Sequence, residues 1–178
     1  MSTLIQKNQH GVIFILGVVL IDSISFGIIL PVMPHLIIAV SNASLSDAAR
    51  LGGYLTLAYA FMQFFSAPIL GNLSDKYGRR PILLYSLMAL GLSNILMAIA
   101  STILWLFIAR IIAGATSSTL AVAYAYITDI TSIETRAKRF GMVGAACGIG
   151  LIIGPTFGGV LGSFGERTPF ITAAVLGT

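Results

Sequence analysis

Gly71-Asn72-Leu73-Ser74-Asp75-Lys76-Tyr77-Gly78-Arg79-Arg80 puts four charges between two runs, residues 51–70 and 82–109, that contain none. A charged decapeptide between apolar segments of that length reads as the tight water-side turn joining two membrane-spanning helices. Its two glycines suit a sharp change of direction, and Pro81 suits the first turn of the helix that follows.

The composition agrees. Of 178 residues, 57% are hydrophobic and only 9% charged, against about 25% charged in soluble domains. Lipid is the natural solvent for such a chain. Backbone groups in lipid must be satisfied internally, which selects helices, and the alternation of a membrane β-barrel is absent. The fold class expected is therefore an all-α membrane protein. Net charge is +4, but the basic residues sit in short loops rather than in a stripe suited to nucleic acid. The single Cys147 leaves no intrachain disulfide and no metal-site partners, so neither metal nor cofactor is expected. Asp22 in the first apolar run, with no small-residue cleavage site after it, argues against a signal peptide.

Taken in order, a polar lead (residues 1–10) precedes helix 1 at about residues 11–34. A polar loop over 41–50 leads to helix 2 at about 51–70. After the charged turn come helix 3 at about 81–100 and helix 4 at about 104–128. A charged segment over 129–139 precedes helix 5 at about 140–161, and helix 6 begins near Pro169. The final run is about half the length a bilayer needs. Five complete transmembrane helices and a truncated sixth are expected. Lys7, Lys76, Arg79, Arg80, Arg136, Lys138 and Arg139 fall on one side, and Arg50 and Arg167 on the other. The positive-inside rule then places the amino terminus in the cytoplasm.

Two charges lie within the spans. Asp22 is about 16 Å from the amino-terminal side of the membrane, and Arg110, if helix 4 protrudes by a turn, about 20 Å. Comparable depth makes a direct or water-bridged pair possible, either as a structural ion pair or as a titratable proton site; buried charges of this kind are functional by default. Phe26, Gln63, Tyr124 and Tyr126 are candidates for lining a substrate cavity, with packing as the alternative. Ser93 and Asn94 read as interhelical hydrogen-bonding residues.

Gly150, Gly154, Gly158 and Gly162 recur every fourth residue, with Gly144 and Gly148 as a second pair. Such a bare stripe lets another helix approach closely. Pro155 removes a backbone donor and predicts a bend. Tight packing and an outward hinge or seal are both open readings.

Three motifs now carry a resemblance. Gly71-x-Leu73-x-Asp75-Lys76-x-Gly78-Arg79-Arg80 resembles the loop between helices 2 and 3 of the major facilitator superfamily. Arg110-Ile111-Ile112-Ala113-Gly114 resembles its helix 4 motif. Gly150-x-x-x-Gly154-Pro155-x-x-Gly158-Gly159 resembles the helix 5 motif of its drug:proton antiporters. Asp22-x-x-x-x-Gly27-x-x-x-Pro31-Val32-x-Pro34, Tyr59-Ala60-x-Met62-Gln63 and Ala125-Tyr126-Ile127-x-Asp129 look like the tetracycline exporters of that group. One departure separates export from its particular substrate: Ser93 stands where those exporters often carry an acid.

The resemblance implies a major-facilitator-type helical bundle, with residues 1–178 as its amino-terminal six-helix half and the carboxy-terminal half absent. It implies proton-coupled export of small amphipathic drugs, tetracycline-like or multidrug, across the cytoplasmic (inner) membrane by alternating access. Protons, drug, bilayer and the missing half would be the partners. It assigns proton coupling to Asp22 and Arg110. Gating falls to Gly71, Asp75, Gly78, Arg79, Arg80 and Asp129, with Arg79 paired to Asp129 and Asp75 reaching the other half. Gly150, Gly154, Pro155, Gly158 and Gly159 would shape the helix 5 contact with that half. A metabolite symporter or uniporter, and a non-transporting remnant or assembly partner, are the alternatives. No GxxxxGK[ST] loop occurs, which argues against an ATP-driven pump, and no nucleophile–base pair can be placed, so an enzyme is not expected.

Overall fold

The computed structural model describes residues 2–177. Among the described residues seven helices follow one another: α1 (Ser2–Ser41), α2 (Leu45–Tyr77), α3 (Arg79–Ile99), α4 (Ile103–Thr116), α5 (Thr119–Ile130), α6 (Ile133–Gly162) and α7 (Thr168–Gly177). No strand occurs among the described residues. Five spans are long and apolar enough to cross a membrane, with α4 and α5 together forming one of them (Ile103–Ile130). The protein is an all-α, multi-pass membrane protein.

The spans sit where the apolar runs put them, but their ends do not. The lead expected at residues 1–10 is helical from Ser2, and α1 continues through Pro31 and Pro34 to Ser41. It stops where Asn42 turns left-handed (φ 51°) and its N–H returns to the Ile38 carbonyl at 2.8 Å, a C-terminal cap that Asn tolerates. The loop expected over 41–50 shrinks to three residues. Ser44 starts α2 by accepting a hydrogen bond from the Asp47 N–H at 3.2 Å, which satisfies one of the free donors of the first turn.

The opening stretch is corrected most. It is not a ten-residue turn: α2 runs to Tyr77, α3 starts at Arg79, and Gly78 alone reverses the chain. Gly71 lies inside α2 and needs no special conformation. Gly78 has φ 98° and ψ 148°, a region essentially restricted to glycine. Gly78→Ala is expected to cost about 1–3 kcal/mol, while Gly71→Ala, a helical site with nothing near its Cβ position, should stabilise slightly. Thermal melts of the two variants in detergent check the contrast.

Packing follows three principal pairs: α1 on α6, α2 on α4, and α3 on α7. The α1–α6 contact uses the glycine stripe. A methyl group on Gly150 would lie 2.5 Å from Ser23 Cβ, and one on Gly154 would lie 2.7 Å from both Gly27 Cα and the Ile24 carbonyl. The ladder at 150, 154 and 158 therefore packs on α1 of this same chain. Gly144, Gly148 and Gly159 face open space. Pro155 rests on Gly27, and α6 is unbroken through it.

Two apolar cores result. One gathers Ile29, Met33, Leu36, Leu55, Leu106 and Phe170; the other gathers Ile15, Val19, Leu83, Val122, Ile127 and Val143. Between them α1 contributes Asp22, Ser23 and Ser25, and α4–α5 contributes Arg110 and residues 117–119. A polar belt thus crosses the bundle between its two apolar cores, while large apolar side chains such as Phe64, Ile152 and Val175 face outward.

Candidate functional site

At the Gly78 end, Arg79 gathers three partners. Its Nη2 pairs with Asp75 Oδ1 one turn back, its Nε pairs with Asp129 Oδ2 at 3.0 Å, and its Nη1 donates to Ser74 Oγ at 2.6 Å. Asp75 pairs with Arg79 within this chain and keeps its side chain 59% exposed. Arg80 donates to the Tyr126 hydroxyl at 3.3 Å and lies over the Phe14 ring. The cluster ties α1, α2, α3 and α5 together at one end of the bundle. At the opposite end Arg167 donates to the Ala100 carbonyl at 3.2 Å, fixing the α6–α7 loop to the end of α3.

Mid-bundle, a cavity of about 390 Å³ opens among α1, α2, α5 and α6. Asp22, Phe26 and Gln63 meet in its wall, with Tyr59, the run 117–121, and Cys147 and Leu151 of α6. Phe26 and Tyr59 form a tilted pair with centroids 5.9 Å apart. Tyr124 lies elsewhere: its ring packs edge-on against Phe140 at 5.2 Å in the apolar core of the Gly78 end.

The cavity owes its polar wall to an interruption that sequence reasoning missed. The span read as helix 4 breaks at Ser117–Ser118, giving α4 and α5. Thr116 spends its hydroxyl on the Ile112 carbonyl at 2.8 Å, a back-bond that competes with the helix ladder. The next three hydroxyls go to three different helices. Ser117 Oγ takes a hydrogen bond from Gln63 Nε2 at 3.1 Å and shares one with the Tyr59 hydroxyl at 2.7 Å, both on α2. Ser118 Oγ meets Ser86 of α3 at 3.2 Å. Thr119 Oγ1 donates to Asp22 Oδ1 of α1 at 3.0 Å. The signal available in the sequence was the unbroken run Thr116-Ser117-Ser118-Thr119 just after Gly114.

Arg110 does not join Asp22. Among the described residues the only ion pairs are those of Arg79. The Arg110 guanidinium lies instead over the Tyr59 ring, 5.9 Å from its centroid. Depth along a helix was legible; the direction each side chain takes around its axis was not. Ser93 and Asn94 also differ from expectation. Ser93 bonds the Leu90 carbonyl of its own helix at 2.8 Å, and the buried Asn94 amide has no protein partner among the described residues. No group of three metal-ligating side chains converges among the described residues.

Residues 15–178 match the family profile of the Major Facilitator Superfamily. The chain belongs to the major facilitator superfamily. Among similar superfamily proteins are the class C tetracycline resistance protein of Escherichia coli (45% identical, 96% of this chain, 43% of the relative) and the class H protein of Pasteurella multocida (47% identical, 94% and 41%). The Multidrug resistance protein 2 of Bacillus subtilis is 32% identical over 95% of this chain and 42% of its own length. The chain thus spans about two fifths of the length of these curated relatives. The structure of the human organic anion transporter MFSD10 (TETRAN) aligns with a TM-score of 0.79 at 22% identity, over 96% of this chain and 45% of that one, and shares the fold.

Proposed function

We propose that this chain is the amino-terminal half of a drug:proton antiporter that exports small amphipathic compounds, tetracycline-like or multidrug, as protons enter. One observation carries the reading: Asp22 lies in the wall of the same cavity as Phe26, Tyr59 and Gln63. Aromatic faces and an amide suit an amphipathic solute, and the acid supplies a proton site beside it. Relatives named for tetracycline and multidrug resistance support the same class. Substrate would bind near the midplane, between this half and its counterpart, and alternating access would expose Asp22 to each side in turn. The basic Gly78 end faces the cytoplasm in this scheme. Purified transporter in liposomes tests it: adding tetracycline or ethidium should drive proton movement opposite to the drug. Drug flux without proton movement overturns the antiport reading.

The Arg79 cluster acts as the cytoplasmic-side gate. Asp75→Asn leaves Arg79 its Asp129 and Ser74 partners, so stability should change by no more than about 1 kcal/mol, as for other surface pairs. Turnover should fall several-fold with substrate affinity unchanged, read as a drop in kcat at constant KM in a vesicle efflux assay. Weakened binding instead would contradict a gating role.

A further inference from the structure

The break at Ser117–Ser118 ties the acid to the cavity wall through three consecutive residues. Thr119 is the first residue of α5, and no side chain caps that helix start. Leu120 and Ala121 of the same first turn line the cavity. Asp22 therefore sits at a helix amino terminus, where the partial positive charge of about half a unit favours an anion. Among the described residues its hydrogen-bond partner is the Thr119 hydroxyl. Two residues back, Ser117 holds Tyr59 and Gln63, the polar groups α2 presents to the cavity. The titratable groups that line the cavity with Asp22 are Tyr59 from α2 and Cys147 from α6, and Arg110 from α4 lies over the Tyr59 ring. α3 offers Ser86 and Leu90 to this region, α5 offers Thr119, and α7 carries no titratable residue.

We propose that Thr119 is the positioning residue of the proton site and that the Ser117–Thr119 break couples proton binding at Asp22 to the substrate-facing side chains Tyr59 and Gln63. The inference rests on the proton-coupled reading above and adds its coupling element. With Asp22 ionised, Thr119 donates a charge-assisted hydrogen bond that fixes the start of α5 on α1. One proton, taken from water, adds to the carboxylate. No proton leaves Thr119; the acceptor of its hydroxyl changes from a carboxylate, which accepts strongly, to a neutral carboxyl, which accepts weakly. The link between the start of α5 and α1 is then weakened, and Ser117 shifts with it, changing how Tyr59 and Gln63 are held. Substrate seated on Tyr59 and Gln63 works the same link in reverse, as reciprocity of coupled sites requires.

The test uses the full-length transporter in liposomes with tetracycline as probe. Thr119→Val removes the donor at nearly constant volume. Loss of a hydrogen bond to a charged group should move the pH midpoint of transport upward by about one unit, and the number of protons moved per tetracycline should fall. Thr119→Ser, which keeps the hydroxyl, should restore both. Should Thr119→Val fail to fold, Thr119→Ala removes the same donor and is read identically. An unshifted profile in Thr119→Val, or failure of Thr119→Ser to rescue, overturns the proposal. Asp22→Asn separates the two levels. If it abolishes proton coupling while Thr119→Val leaves the profile in place, only the role of Thr119 fails. If it leaves coupling intact, the proton-site reading itself fails.

Discussion

Asp22→Asn is expected to reduce proton-driven export to the level of empty membranes while leaving the protein inserted and folded. The two side chains have the same shape, and the amide oxygen of Asn can still accept the Thr119 hydrogen bond that Asp22 accepts at 3.0 Å. Nor should insertion suffer, since an ionised Asp at mid-span costs about 2.5–3.5 kcal/mol on insertion scales and Asn removes that charge. What is lost is the capacity to carry a proton between two exposures. Everted vesicles loaded by an imposed pH gradient give the transport readout, and a thermal melt in detergent gives the fold. Gradient-driven tetracycline accumulation at the parental rate would take Asp22 out of the proton path. Accumulation lost together with the melt would mean that the carboxylate is structural, holding α5 on α1.

Much of this molecule was legible in its sequence, for a physical reason. Lipid imposes long uncharged runs and internal backbone hydrogen bonding, so five spans could be read from hydropathy. Hydropathy says nothing about where a helix ends once it has reached water. Those ends are set by single residues: Asn42 turning left-handed, Ser44 capping α2, Gly78 reversing the chain. Residues 71–77 are helix for the same reason, because they contain nothing that must break one. At the site, Asp22 and Gln63 stand out as polar residues within apolar spans, and Phe26 lies one helical turn from Asp22. Arg110 was matched to Asp22 by depth alone, and rotation about the axis of α4 placed it over Tyr59 instead. Thr119 was missed because a hydroxyl inside an apolar helix ordinarily bonds its own backbone, as Thr116 and Thr128 do. Only the local break frees it to reach another helix.

The glycine stripe carries the second large expectation. Gly154→Leu should destabilise the protein by about 3 kcal/mol, the upper range for overpacking a close contact, and abolish transport. The substituent would meet backbone rather than a movable side chain: Gly27 Cα and the Ile24 carbonyl both lie 2.7 Å from the new Cβ. Rotamer changes cannot relieve that, so α1 and α6 must separate. Gly148→Leu is the matched control, on the same helix and with the same loss of glycine, but with nothing within 4 Å of its Cβ position. It should melt near the parent. The contrast bears on mechanism as well as packing, because the α1 residues in contact with the stripe, Ser23, Ile24 and Gly27, flank Asp22 and Phe26 in the cavity wall. A shift of α1 that relieved Gly154→Leu would disturb the Asp22–Thr119 hydrogen bond. Gly154→Ala poses the smaller version of the question: if it leaves the fold intact but shifts the pH midpoint as Thr119→Val does, then the α1–α6 contact sets the geometry of the acid. Equal melts for Gly154→Leu and Gly148→Leu would contradict the close approach.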